Sequence, residues 1–230
     1  MNAKTAILIF SRTAHAEACI KNIAGNSGNN IAAHAFLVNK TIVTVEESAL
    51  PNFHIHEKKQ CGVTFEERLH DAINQVFKKG YENILCVGSD CPQLTSDHLL
   101  QSKITVENGT ACFGKDSHGG VYLMAITKSQ FKAGILNSIS WSTDKVLSQI
   151  QANAISLDFN YDILSVLQDV NDKKGLLQYI KIKQISQSLK CTLISLLAIG
   201  KQFSNIIFQT ILNIAFNGVS ILRGPPAYCK

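Results

Sequence analysis

No Cys-x-x-Cys pair, Walker loop, Gly-x-Ser-x-Gly elbow or Gly-x-Gly-x-x-Gly fingerprint occurs in the 230 residues. These absences remove the zinc ribbon, the phosphate-loop NTPase, the α/β-hydrolase nucleophile and the dinucleotide turn from consideration. His15, His34, His54, His56, His70 and His98 show no His-x-x-x-His spacing. His54 and His56 face one side of a short strand, but without a third ligand they read as ordinary core or surface residues. The seven cysteines are odd in number, and Cys86 and Cys112 lie inside apolar runs. Reduced thiols of a cytoplasmic protein fit this better than a disulfide framework. The opening "MNAKTAILIF" has only five consecutive apolar residues before Ser11-Arg12. That is short for a signal-peptide core, and a first strand is expected instead.

Acidic residues are missing altogether from Lys181 onward, where six basic residues remain. Residues 1–180 carry 16 basic and 17 acidic side chains, so the net charge of +5 belongs to the tail. A nucleic-acid partner is not expected, because that needs Lys and Arg clustered on one face of the main domain.

The apolar content of 46% is enough to fill a core. "TAILIF" (5–10) is a continuous apolar run, as in a strand covered on both faces. Spacing by three and four predicts a helix over 29–48, stopped by Pro51, followed by a weak strand over 52–56. In "TFEERLHDAINQVFKKG" (64–80), Thr64 and Glu67 form a capping box and Gly80 closes the helix. "NILCVG" (83–88) reads as a central strand, with a helix restarting at Thr95 or Ser96. Strands over 111–114 and 120–126 flank a Gly119-Gly120 turn. A helix over 142–153, a strand over 154–159 ("AISLDF") and a helix over 172–183 complete the main domain. Alternating strands and helices predict an α/β fold with a mostly parallel sheet.

The expected division is an α/β domain over 1–183 and a basic, amphipathic helical tail over 184–230. In the tail Leu189, Leu193, Leu196, Phe203, Ile207, Ile211 and Ile214 recur at helical steps. Between Lys201 and Arg223 lie 21 uncharged residues, of which eight are Gln, Ser, Asn or Thr. That composition suits docking on the main domain, self-association or contact with a membrane surface better than a spanning helix.

Chemistry is expected beyond the carboxyl ends of the strands. Asp90 stands there, in "CVGSDCPQLT", as a turn former or as a cation ligand. The ordered motifs "GVTFEERLHDAI", "ILCVGSDCPQLT", "CFGKDSHGGVYLMAI", "ISWSTDKVL" and "LQDVND" resemble the domain of unknown function 2064 family. That family is also described as radical-SAM/selenodomain-associated transferase 1. The resemblance covers roughly residues 1–180 and implies a Rossmann-like sheet of glycosyltransferase-A type, similar to nucleotide-diphospho-sugar transferases.

It further implies a metal-dependent glycosyltransferase using a nucleotide-diphosphate sugar, with no acceptor identified, and a divalent cation, Mg or Mn, as cofactor. Asp90 and Asp169 would face the metal. Asp90, His118 and Asp116 would be the catalytic group. Arg68, Gly88, Ser89, Gly119, Gly120, Trp141, Ser142 and Thr143 would bind substrate. Three departures stand out. The basic stretch after strand one is here "SRTAHAEACIKNIAGN", with Arg12 and Lys21 as its cations. The aspartate before Gly-Gly is His118, and the final Asp-x-Asp is Asp169-Val170-Asn171. They keep two alternatives open: a degenerate member serving as a binding or scaffold module, and a sugar nucleotidyltransferase.

Overall fold

A computed structural model describes residues 4–183 and 185–198. Six strands form one sheet: β1 (Thr5–Phe10), β2 (Asn52–Ile55), β3 (Asn83–Val87), β4 (Ala111–Asp116), β5 (Val121–Thr127) and β6 (Tyr161–Leu167). Their order is β2-β1-β3-β5-β4-β6. β1 pairs in parallel with β2 and β3, and β4 in parallel with β6. β5 alone runs against its neighbours β3 and β4, because the Gly119-Gly120 turn folds β4 straight back as a hairpin. Successive strands leave β1 in opposite directions, so the crevice between β1 and β3 is a topological switch point.

The helices are α1 (Ala14–Ala18), α2 (Ser27–Glu47), α3 (Phe65–Phe77), α4 (Ser96–Glu107), α5 (Lys128–Ala133), α6 (Val146–Ser156), α7 (Lys173–Ile180) and α8 (Gln187–Ala198). They cover both sheet faces. On one face Leu8, Ile84 and Phe113 pack with Leu69, Ile73 and Val76 of α3 and with Ile150 of α6. On the other, Ile7, Leu85 and Leu123 pack with Val45 of α2 and with Leu99 and Val106 of α4. Alternate residues of β1 and β3 thus feed opposite cores, which is why both strands read as unbroken apolar runs. A third core joins Phe36 and Leu37 of α2, Leu176 and Tyr179 of α7, and Leu193 and Leu196 of α8.

The capping box at Thr64 and Glu67 is present. Other boundaries differ from expectation. α2 starts at Ser27 because the Asn26 side chain accepts from Asn29 N–H. No strand occupies 154–159: Val146, Leu147, Ile150 and Ala154 form one buried helical stripe, and α6 runs through the expected boundary. Asp158, at φ 56°, turns the chain after it. The edge strand follows at Tyr161–Leu167, where half-exposed residues and a register shift opposite Gly114 hide the strand period. The helix expected over 142–153 begins only at Val146, and the one over 172–183 ends at Ile180. Of the tail stripe, Leu189, Leu193 and Leu196 fall in α8. The part from Phe203 onward, with the 21-residue uncharged stretch, lies outside the described residues. Among the described residues no helix is long and apolar enough to cross a membrane.

Candidate active site

The carboxyl ends of β1, β3, β4 and β6 share one sheet margin, and the reversed β5 starts there. A pocket of about 530 Å³ opens at this margin. Its walls include Phe10, Ser11 and Arg12 after β1, Gly88, Ser89 and Asp90 after β3, and Asp116, His118 and Gly120 around the hairpin. Arg68 of α3, Trp141, Ser142 and Thr143 before α6, and Asp169 and Asn171 after β6 complete it. Every residue named from the sequence as a site candidate therefore lines this pocket, except Gly119, which forms the turn beneath.

The hairpin carries the tightest constraints. Asp116 Oδ1 accepts from the backbone N–H groups of His118 and Gly120, both at 2.8 Å. A Cβ on Gly120 would run into the Asp116 carboxylate, and Gly119, at φ 88°, packs against the Asp144 carbonyl. Leu147 N–H donates to the Gly119 carbonyl at 3.1 Å, fixing the turn to α6. Glycine is required here for close approach as well as for φ.

Parallel pairing of β4 and β6 brings the loop after β6 beside this turn. His118 Nδ1 lies 2.8 Å from Asp169 Oδ1. Asp169 is buried and also accepts from the Asn171 amide, while the His118 ring is mostly exposed. The Asp169 hydrogen bond, and then its charge, raise the His118 pKa above the ordinary 6.5. Asp116, His118 and Asp169 each offer one donor atom, all within 4.8 Å of one another. Two carboxylate oxygens and an imidazole nitrogen form a set that suits a transition metal such as manganese better than magnesium.

Asp90 stands outside that trio. Its Oδ2 lies 3.1 Å from Lys21 Nζ, and Lys21 also meets Glu17 at 3.1 Å. Burial alone would lower the Lys21 pKa, but the Asp90 and Glu17 charges outweigh it and raise the pKa above 10.5. The backbone carbonyl of Asp90 accepts from Val170 N–H at 2.7 Å, tying the β3 and β6 loops together. Arg12 is paired with Glu17 at 3.1 Å. Arg68 donates to the Val63 carbonyl at 2.7 Å. Among the described residues it is the lining cation that no carboxylate pairs.

One wall is aromatic. Phe65 packs at 5.2 Å against Trp141 with the rings tilted by 46°, and meets Phe10 edge-on at 5.6 Å. Trp141 Nε1 is buried without a hydrogen-bond partner among the described residues, and Ser142 next to it holds φ 64°. Backbone strain and an unspent donor at a pocket wall are features concentrated at ligand sites.

Two residues that fix Lys21 were not anticipated. Asn30 accepts from the N–H groups of Ile23 and Ala24, at 2.8 and 3.3 Å. It donates to the carbonyls of Ala18 and Lys21, at 2.9 and 2.8 Å. His34 Nε2 lies 3.0 Å from the same Lys21 carbonyl. Burial, the largest influence, lowers the His34 pKa, so the ring is neutral near pH 7 and Nε2–H donates. The available signal was polar residues one turn apart on the buried face of a helix.

No curated protein matches this chain in sequence. Among solved structures, a candidate nucleotide-diphospho-sugar transferase from Desulfovibrio desulfuricans G20 superposes with a TM-score of 0.66. It is 16% identical, and the match covers 91% of this chain and 98% of that one. Rv0371c from Mycobacterium tuberculosis H37Rv gives 0.47 at 12% identity, over 77% and 98% of the two chains. A cytidylyltransferase from Leptospira borgpetersenii serovar Hardjo-bovis (strain JB197) gives 0.45 at 13% identity, over 99% and 100%. The first shows the fold: an α/β sheet of nucleotide-diphospho-sugar transferase type, with the C-terminal helix α8 present. Residues 33–143, which hold Arg68, Asp90, the Gly119-Gly120 turn and Trp141, match the family described as "Uncharacterized protein conserved in bacteria (DUF2064)", the family that the motifs resemble.

Proposed function

We propose that the chain is a divalent-cation-dependent transferase that binds a nucleotide-diphosphate sugar in the pocket at the strand ends and passes its glycosyl group to an acceptor. One observation carries the reading: the Asp116, His118 and Asp169 donor atoms gather within 4.8 Å at the margin of a pocket that Arg68 also lines. A cation site and a guanidinium both match the charge and the acceptor oxygens of a diphosphate. The O, N, O donor set fits manganese. When bound, such an ion neutralises charge on the departing diphosphate.

The chain's own residues supply the rest. Arg68 offers donors to phosphate oxygens. Phe65 and Trp141 give an apolar face for a base or sugar ring. Lys21 and Arg12, paired with Asp90 and Glu17, fix the carboxylates at the β1 side. In the transfer, the bond from C1 to the diphosphate oxygen breaks with its electron pair on that oxygen. The acceptor oxygen bonds to C1, and its proton passes to the Asp116 carboxylate oxygen that a cation leaves free, and on to water.

A second reading, a binding module without turnover, is favoured by the way Asp169 and Asp90 are already engaged, by Asn171 and by Lys21. Calorimetric titration with nucleoside diphosphates and nucleotide sugars, with and without Mn²⁺, tests the proposal. Metal-dependent binding that Asp169→Ala removes supports it. Absence of binding across the common nucleotides overturns it, and binding without release of nucleoside diphosphate in the presence of acceptors selects the module.

A further inference from the structure

A second cavity, of about 590 Å³, adjoins the first. The two share His118, Asp169 and Asn171 and no other lining residue, so two of the three cation-binding candidates lie in their common wall. Their chemistry differs. The first is lined by Arg12, Lys21 and Arg68, by carboxylates that include Glu17, Asp90 and Asp116, and by aromatic rings. The second is lined by four carboxamides: Gln93, Gln168, Asn171 and Gln178.

Each amide spends one end on the protein. Gln93 Oε1 accepts from Gln168 N–H at 3.0 Å. Gln168 Nε2 donates to Gln178 Oε1, and Asn171 Nδ2 donates to Asp169 Oδ2. What remains is a mixed array: donors on Gln93 and Gln178, acceptors on Gln168 and Asn171. An anion would use only the donors and a cation only the acceptors. Hydroxyl groups, which donate and accept at once, use both. The charged residues that this cavity does not share with the first, Asp172 and Lys174, are of opposite sign and offset each other. Val166, 57% exposed, adds an apolar patch of the kind that takes the C–H face of a sugar ring. The volume lies within the usual range for small-ligand sites, about 300–1,000 Å³.

We infer that this second cavity is the acceptor subsite and takes a neutral, polyhydroxylated molecule of the sugar class. The word acceptor rests on the donor reading of the first pocket; the binding chemistry of the second does not.

The two are separable by experiment. Saturation-transfer NMR is recorded on the full chain with D-glucose, D-mannose, D-galactose and myo-inositol, each with and without saturating nucleoside diphosphate and Mn²⁺. The expected result is transfer to at least one of them that survives nucleotide addition. In Gln178→Trp, an exposed helix position whose new side chain fills the cavity, the signal falls by about tenfold while the thermal midpoint and nucleotide titration stay unchanged. No transfer to any of the four, transfer undiminished in Gln178→Trp, or transfer displaced by nucleotide overturns the inference. If no nucleotide binds yet the sugar signal is present and lost in Gln178→Trp, the subsite stands and the donor reading falls.

Discussion

Replacing Asn30 by Ala probes the link between fold and site most sharply. The side chain is 4% exposed and makes four hydrogen bonds, all to the backbone of the segment that carries Lys21. Truncation strands the N–H groups of Ile23 and Ala24, two residues buried in the third core. Each buried donor left unsatisfied costs about 1–3 kcal/mol, and water entering the small gap recovers part, so a net loss of about 2–4 kcal/mol is expected. Urea unfolding at neutral pH reads this as a lower midpoint with an unchanged slope. The Lys21 carbonyl also loses one of its two anchors, so the ammonium is less firmly held against Asp90. Nucleoside diphosphate titration of the variant, under conditions where it remains folded, is expected to weaken by about tenfold, equivalent to 1.4 kcal/mol. A stability loss below about 1 kcal/mol would refute the hydrogen-bond reasoning. Unchanged nucleotide affinity in a destabilised variant would refute the claim that this clamp serves the pocket.

Three further outcomes follow from single contacts. Gly120→Ala puts a methyl group into the Asp116 carboxylate, so Mn²⁺-dependent nucleotide binding should fall by about tenfold or more while far-UV circular dichroism is retained. Glu57 accepts from Thr13 N–H and Oγ1–H at 2.7 and 2.8 Å; burial favours its neutral form, but these bonds outweigh it and hold the carboxyl below 4.5. A depressed pKa adds stability above the unfolded value and loses it as pH falls through the folded one, so the stability gap between wild type and Glu57→Gln should be constant above that range and close below it. Ending the chain after Ile185 removes Leu193 and Leu196, both fully buried. At about 1.5–3 kcal/mol each, less the entropy of ordering the helix, a loss of about 2–4 kcal/mol in unfolding free energy is expected.

Much of this was legible in the chain, for local reasons. β1 and β3 are short apolar runs, and α3 announces its start with a capping box, a signal set by neighbours three residues apart. β6 was missed because an edge strand has one pairing partner and half its residues meet solvent; "AISLDF" mimicked it only because α6 buries residues until its last turn. At the site, Asp90 and the Gly119-Gly120 turn were visible as strand-end chemistry and as motif. The meeting of His118 with Asp169 was not, since 51 residues separate them and parallel β4–β6 pairing alone brings them together. The engagement of Asp90 by Lys21 was hidden for a similar reason. It depends on a loop shaped by Asn30 and His34, polar residues that helical periodicity treats as noise.

Crystals soaked with MnCl₂ and a nucleoside diphosphate, with anomalous data collected at the manganese edge, test the proposed site most directly. The expected map has its strongest anomalous peak among Asp116, His118 and Asp169, with the diphosphate between that peak and Arg68. A peak elsewhere, or nucleotide density in the pocket with no manganese beside those three residues, would contradict the account.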